Sequence, residues 1–355
     1  MNILFACTST NNVATMWGSL QMLGDHSVVV FPYDRKYYEA LGQVRQTNPG
    51  EYDAICKGQL AWNPSRDRIA MDRELIMECK IGKPDVIVYV SAWQGPFVPL
   101  NDTIEEMNKI APVIHLLNDG QDPPWFKGDE NRPGQLYEFD RRGQFSLTVN
   151  IDGGRRWPGG DDWNEDLQRE YGPPLKGKCM TLLTPLDLVH YRNTGLAFGE
   201  RPYSIGYSGS PSSPTRAAII NRLQRVQGFN YRPRDETGKP NSYAEHIGFL
   251  QYTQVSVNVP FTGSGVERQV KGRVLEAGFA GCCCLEWQSS TIESWFTPRL
   301  HYWPYSSVEE CAEMAEWISH HPKIAEDIGR AMKAELEAKH HPRVFWETVF
   351  GAIGK

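Results

Sequence analysis

The stretch Lys271 to Leu285, KGRVLEAGFAGCCCL, brings together the residue types best suited to holding a polar ligand. Lys271, Arg273 and Glu276 fall on or beside one short amphipathic helix. Lys and Arg complement a phosphate, whereas Glu pairs with two sugar hydroxyls. α/β proteins place such groups on helices that enter the crevice beside a parallel sheet. A Gly-terminated turn follows, then an apolar strand in which the three consecutive thiols behave as small hydrophobes. The same spacing also fits a plain sheet-covering helix whose charges face water.

A second candidate lies in GSPSSPTRAAIINRL, Gly209 to Leu223. A Gly/Ser loop carrying Gly209 and Ser210 feeds a helix starting near Thr215. Backbone N–H groups at such a helix start suit an anion. Arg216 in the first turn opposes the helix dipole, and a bound diphosphate would give it a reason to be there. A Ser/Thr-capped helix with a solvated Arg is the plainer reading. The loop lacks the Gly-Lys-Ser/Thr ending of a Walker loop. A third candidate, Asp119, sits just past a strand, where open sheets bind ligands. It suits a base for an acceptor hydroxyl, and Asn118-Asp119-Gly120 equally suits an Asx-turn. His115, inside that strand, reads as packed rather than reactive.

These groups need a scaffold, and the chain alternates strands with helices. Strands are expected at Ile3–Cys7, Val28–Phe31, Val86–Val90, Val113–Leu117, Phe145–Asn150 and Cys179–Leu183. Helices are expected at Ala14–Leu23, Ser65–Lys80 and Thr103–Ile110. The order favours a parallel sheet. The first loop, Thr8 to Val13, has no G-x-G-x-x-G fingerprint. Residues Tyr37 to Pro64 read as irregular, Gln121 to Gly143 as a long polar loop, and Pro185 to Pro202 as a crossover between domains. In the second half, strands are expected at Ser204–Tyr207, Val255–Val259 and Cys282–Leu285. Phe229 to Gly238 reads as an Arg-rich connector. Ser242–Gln251 reads as a helix offering Tyr243 and His246. Arg299 to Tyr305 is aromatic and Pro-broken, and helices over Ser307–Ser319, Pro322–Lys339 and Arg343–Ala352 form a tail.

Composition narrows the function classes. The chain has 355 residues, enough for two globular domains. A formal net charge of -6 supplies no bulk attraction to nucleic acid or an anionic membrane. The eight Cys contain no metal-type CxxC pair, which suits reduced, buried thiols in a cytoplasmic protein. No signal peptide is expected from the start MNILFACTSTNN, and no apolar run approaches the roughly 20 residues needed to span a bilayer. Scattered Asp and His give no compact metal-ligand spacing, so no metal is expected.

The order of these elements resembles the GT-B class of glycosyltransferases, and is most similar to its spore-maturation CgeB-like group. The resemblance rests on the MNILFACT strand, KPDVIVYV, VIHLLNDG, and IGYSGS followed by Arg216. Its most specific part is RVLEAGFAG before an apolar strand, followed by YSSVEECAEMAEWI and a tail helix. It implies an α/β, GT-B fold: two Rossmann-like domains facing a central cleft, with a helical C-terminal tail. The implied boundaries are 1–190 for an acceptor-side domain, 191–335 for a nucleotide-sugar-binding domain, and 336–355 for a C-terminal helix.

The resemblance also implies residue roles. Glu276 would bind the donor ribose hydroxyls. Arg216, Lys271 and Arg273 would surround the diphosphate, and Gly209 and Ser210 would let it approach. Many retaining relatives carry another Glu eight positions before the ribose-binding one; this chain has Arg268 there. The implied activity is metal-independent transfer of a sugar from a UDP-, GDP- or TDP-sugar to a hydroxyl. The acceptor could be a glycan, a small molecule, a protein or a modified nucleic acid, and Asp119 is the candidate catalytic base. A sugar-nucleotide epimerase, or a non-catalytic nucleotide- or carbohydrate-binding protein, would use the same architecture.

Overall fold

The structure is a computed structural model. It describes residues 1–7, 11–32, 46–56, 65–90, 99, 101–117, 128–129, 132–133, 145–151, 179–192, 194–211, 213–233, 242–260 and 270–355. The chain divides into two compact units. The first comprises residues 1–151, 164–180 and 349–355, and the second 152–163 and 181–348.

The first unit is built on a six-stranded sheet. Its strands are β1 (Asn2–Cys7), β2 (Ser27–Pro32), β3 (Val86–Val90), β4 (Val113–Leu117), β5 (Leu147–Asn150) and β6 (Cys179–Thr181). They lie in the order β2-β1-β3-β4-β5-β6. The pairings of β1 with β2 and β3, and of β4 with β3 and β5, are parallel. Every residue of β3 and β4 is buried, as expected for strands covered on both faces. Helices α1 (Asn11–Gln21), α3 (Ser65–Gly82) and α4 (Asn101–Ile110) alternate with these strands. Helix α2 (Pro49–Cys56) occupies part of the stretch expected to be irregular. Its start carries Asn48, whose side-chain oxygen accepts from the Glu51 N–H at 3.3 Å. His115 is fully buried and stacks on Phe145 with ring centroids 4.5 Å apart.

The second unit carries a five-stranded sheet of β7 (Tyr203–Ser208), β8 (Phe229–Arg232), β9 (Thr253–Val257), β10 (Cys283–Trp287) and β11 (Trp303–Tyr305). The order is β8-β7-β9-β10-β11 and all its pairings are parallel. Two of these strands differ from the sequence expectation. β8 replaces the Arg-rich connector, and β11 lies in the Pro-broken aromatic stretch. Both are edge strands, where a partly exposed face tolerates Arg, and where Pro sacrifices no interior ladder bond. Helices α5 (Pro214–Leu223), α6 (Tyr243–Gln251), α7 (Gly272–Phe279), the short α8 (Ser290–Glu293), α9 (Val308–Ser319), α10 (Pro322–Lys339) and α11 (Pro342–Ala352) complete the fold. Each unit is therefore Rossmann-like, and the C-terminal region is helical. Among the described residues no helix is long and apolar enough to cross a membrane.

Helix α7 is held from two sides. Its apolar face, Val274, Leu275, Ala277, Gly278 and Phe279, is buried. Its carboxyl end is satisfied by Arg201, which donates to Ala280 O at 3.1 Å, Gly281 O at 3.2 Å and Thr253 O at 2.8 Å. A cation at a helix C-terminus also opposes the negative end of the dipole. Helix α10 covers the turn after α7 so closely that Gly329 admits no side chain. A Cβ there would lie 2.8 Å from Gly281 O and 3.0 Å from the Cys282 carbonyl carbon. The Cys run is core, as expected: Cys282, Cys283 and Cys284 are fully buried, and burial pushes the Cys282 thiol up to about 12 against the pull of Arg201.

Gly329→Ala tests this contact. Ala favours a helix interior by about 1 kcal/mol over Gly. The clash is with backbone, so overpacking of about 1–3 kcal/mol should prevail. Urea denaturation should show reduced stability. Unchanged or increased stability would mean that α10 can shift freely away from the turn.

Candidate functional site

The candidate site is assembled where β7 ends and where α5, α6 and α7 approach that end. Strand β7 finishes at Ser208, and Gly209 and Ser210 follow. Gly209 has φ +145°, a conformation that favours glycine. The position is also crowded. A Cβ on Gly209 would lie 2.7 Å from both terminal nitrogens of Arg273. The guanidinium of α7 therefore rests directly on the turn after β7. Arg273 Nη1 also reaches Tyr207 Oη at 3.5 Å, and its Cζ stands 5.9 Å from the Tyr207 ring centroid. The turn is tied down by Tyr231, whose hydroxyl donates to Gly209 O at 3.1 Å, and by the Gly209 N–H, which donates to Arg232 O at 3.2 Å.

Helix α5 starts just beyond. Ser213 is its N-cap, accepting from the Arg216 N–H at 3.2 Å, with Pro214 in the first turn. Arg216 thus stands in the first turn of the helix, half-buried. The capping serine consumes one backbone donor of that turn. Lys271 occupies the N-cap position of α7 and is also half-buried.

Glu276 lies one turn further along α7 than Arg273. Its side chain is 14% exposed. Its Oε2 pairs with His246 Nε2 of α6 at 2.9 Å, and His246 Nδ1 lies 3.1 Å from Ser208 Oγ. Burial alone would raise the Glu276 pKa. The charge and hydrogen bond of His246, with the charge of Arg273, outweigh burial and hold the carboxyl below its ordinary value of 4.5. Close by, the hydroxyls of Tyr191 and Tyr243 are 3.0 Å apart. Burial, together with the negative charge of Glu276, pushes both phenols above their ordinary range, so both stay neutral.

The structure thus joins three of the sequence candidates: Arg273 sits on the backbone of Gly209, and Arg273 and Glu276 share a helix and an electrostatic field. Ser210 and Arg216 follow on the same β7–α5 turn, and Lys271 precedes the same helix. Asp119 lies outside the described residues. His246 was visible in the sequence as a polar residue on its helix, but its pairing with Glu276 spans 30 positions and leaves no local pattern. Ser208 went unnoticed. The clue was available: Ile205 and Tyr207 point to one apolar cluster, so Ser208 must point to the opposite face. Among the described residues no group of three or more His, Cys, Asp or Glu side chains is placed to share a metal ion.

A family model described as "Glycosyl transferase-like" matches residues 216–350. No curated protein sequence matches the chain. Among solved structures, HepE from Anabaena in complex with UDP-glucose is similar over 99% of this chain and 99% of its own, with TM-score 0.62 and 10% identity. A glycosyltransferase from Rickettsia africae ESF-5 is similar over 100% and 99%, with TM-score 0.59 and 9% identity. The UDP-GlcNAc 2-epimerase from Neisseria meningitidis, bound to UDP-GlcNAc, is similar over 99% and 100%, with TM-score 0.51 and 12% identity. At these identities the likeness establishes the fold, which is GT-B-like.

The charge state of Glu276 has a measurable consequence. A carboxyl whose pKa is depressed on folding stabilises the folded chain above its unfolded pKa, and loses that contribution as pH falls through the folded value. Glu276→Gln should therefore be less stable than the parent at pH 7, and the gap should narrow as pH drops below about 4.5. Melting curves across that range measure it. A gap that widens on acidification would mean that the folded site favours the protonated acid.

Proposed function

We propose that the chain is a glycosyltransferase of the CgeB-like kind, moving a hexosyl or related sugar from a nucleotide-sugar donor to a hydroxyl acceptor. The observation that carries this reading is the pairing of functions on α7. A charged, largely buried carboxylate and a guanidinium lie one helical turn apart, and the guanidinium rests on a glycine turn at the carboxyl end of a parallel strand. A nucleoside diphosphate presents a ribose diol and two phosphates at comparable separation. The family match over residues 216–350 and the fold shared with structures holding UDP and UDP-glucose support the same reading.

The chemistry follows from the donor. The bond between the sugar C1 and the diphosphate oxygen breaks, and its electron pair leaves with the nucleoside diphosphate. A bond forms between C1 and the acceptor oxygen, whose proton passes to a base. Asp119 is the proposed base on sequence grounds. Negative charge grows on the diphosphate as it departs. Arg273, with Arg216 and Lys271, would bind that charge more strongly in the transition state than in the ground state, and so contribute rate. Cationic side chains take on this reading the role that a divalent ion plays elsewhere.

An epimerase is the second reading, favoured by the fold likeness to the Neisseria enzyme. Sugar release or transfer distinguishes the two. A transferase liberates UDP from a UDP-sugar only as the sugar reaches an acceptor or water. An epimerase converts the UDP-sugar without liberating UDP as its product.

Two variants test the site. Glu276→Ala should weaken UDP binding about tenfold or more, the cost of hydrogen bonds to a charged group. Arg273→Ala should weaken UDP by about tenfold while changing uridine little. Calorimetry measures both. Unchanged UDP affinity in a folded Glu276→Ala protein, or equal losses of UDP and uridine in Arg273→Ala, would remove the respective assignment.

A further inference from the structure

We propose that His246 and Ser208 are positioning residues that hold Glu276 for ribose recognition, and that through them the site prefers a ribonucleotide to its 2′-deoxy counterpart. The inference rests on the nucleotide-sugar reading above and goes beyond it by assigning two residues and a selectivity.

The proton logic fixes one end of the chain of contacts. A carboxylate only accepts, so the His246 Nε2 facing Glu276 carries hydrogen and donates to Oε2 at 2.9 Å. On the far side His246 Nδ1 lies 3.1 Å from Ser208 Oγ. A hydroxyl both donates and accepts, so Ser208 serves a neutral imidazole as donor and a protonated one as acceptor. Partners on the far side of an imidazole fix its tautomer and ring orientation. Ser208 can do so because it ends an interior strand of the second sheet, paired with Arg232 on one side while the strand's other side is held as far as Gly206.

The arrangement also separates two charges that would otherwise find each other. Arg273 and Glu276 are three positions apart on α7, the spacing at which helical ion pairs form. Among the described residues, however, Glu276 pairs with His246 Nε2, and makes no ion pair with Arg273 within 4.0 Å. Arg273 instead lies on Gly209. Only Oε2 of Glu276 is engaged; among the described residues Oε1 carries no hydrogen bond. His246 thereby leaves one carboxylate oxygen for a sugar hydroxyl and leaves the guanidinium for phosphate. Without His246, Glu276 is free to turn onto Arg273, and each would occupy the other's binding capacity.

The test compares UDP with 2′-deoxy-UDP by calorimetry in the full chain and in His246→Ala, His246→Gln and Ser208→Ala. The parent should bind UDP about tenfold more tightly than 2′-deoxy-UDP, the worth of one hydrogen bond to a carboxylate. In His246→Ala that ratio should fall to near one, with UDP affinity itself reduced. His246→Gln retains an amide donor and should restore most of the ratio. Ser208→Ala should lower the ratio by about two- to threefold, and it tests the proposal even where His246→Ala does not fold. A parental ratio retained in folded His246→Ala, or an unchanged ratio in Ser208→Ala, overturns the proposal. A parent that binds both nucleotides equally also overturns it, while leaving the nucleotide-sugar reading standing. A parent that binds none of UDP, GDP and TDP overturns that reading, and this inference with it.

Discussion

A carboxylate that keeps its charge while largely removed from water is the constraint on which the candidate site depends. Desolvation works against Glu276, and an unpaired charge there would simply take up a proton. The charge and hydrogen bond of His246, joined by the positive field of Arg273, reverse the effect of burial. The three groups come from two helices and answer to a serine on a strand. Glu276 is therefore only as well placed as the packing of α6 and α7 against the sheet.

That packing explains how one short helix can carry both the candidate site and part of the core. The buried face of α7 is apolar and meets α10 and the sheet, while Arg201 secures its far end. Its other face carries Arg273 and Glu276 to the carboxyl end of β7, and Lys271 precedes it at the N-cap. Parallel sheets leave a crevice at that end, because connecting loops diverge there. Gly209 completes the design by omission. Its bare backbone lets a guanidinium lie where a methyl group would otherwise stand. The Cys run, chemically the most conspicuous feature of the sequence, takes no part: its thiols are core, and burial pushes all three up.

Much of this was legible without coordinates. The alternation of apolar β-branched runs with amphipathic helices announces parallel sheets, and RVLEAGFAG displays a helix with one apolar and one charged face. Short edge strands were harder. Phe229–Arg232 ends in Arg and is only half-buried throughout, so it carries no continuous apolar run to mark it. Trp303–Tyr305 contains a proline, which ordinarily argues against a strand, and is tolerated because β11 pairs on one side only. Helix α2 lies in a stretch of weak periodicity. Long-range polar pairings were out of reach for a different reason. The contact between His246 and Glu276 is set by the packing of two helices, and no spacing along the chain encodes it.

The central claim is that the second unit grips an activated sugar by its nucleotide. A crystal structure of the protein with UDP tests it most directly. The account predicts the ribose hydroxyls on Glu276 and the diphosphate beside Arg273 and the Gly209 turn, with His246 still on Glu276. UDP bound elsewhere, with the Arg273–Gly209 contact undisturbed and Glu276 touching only His246, would contradict it.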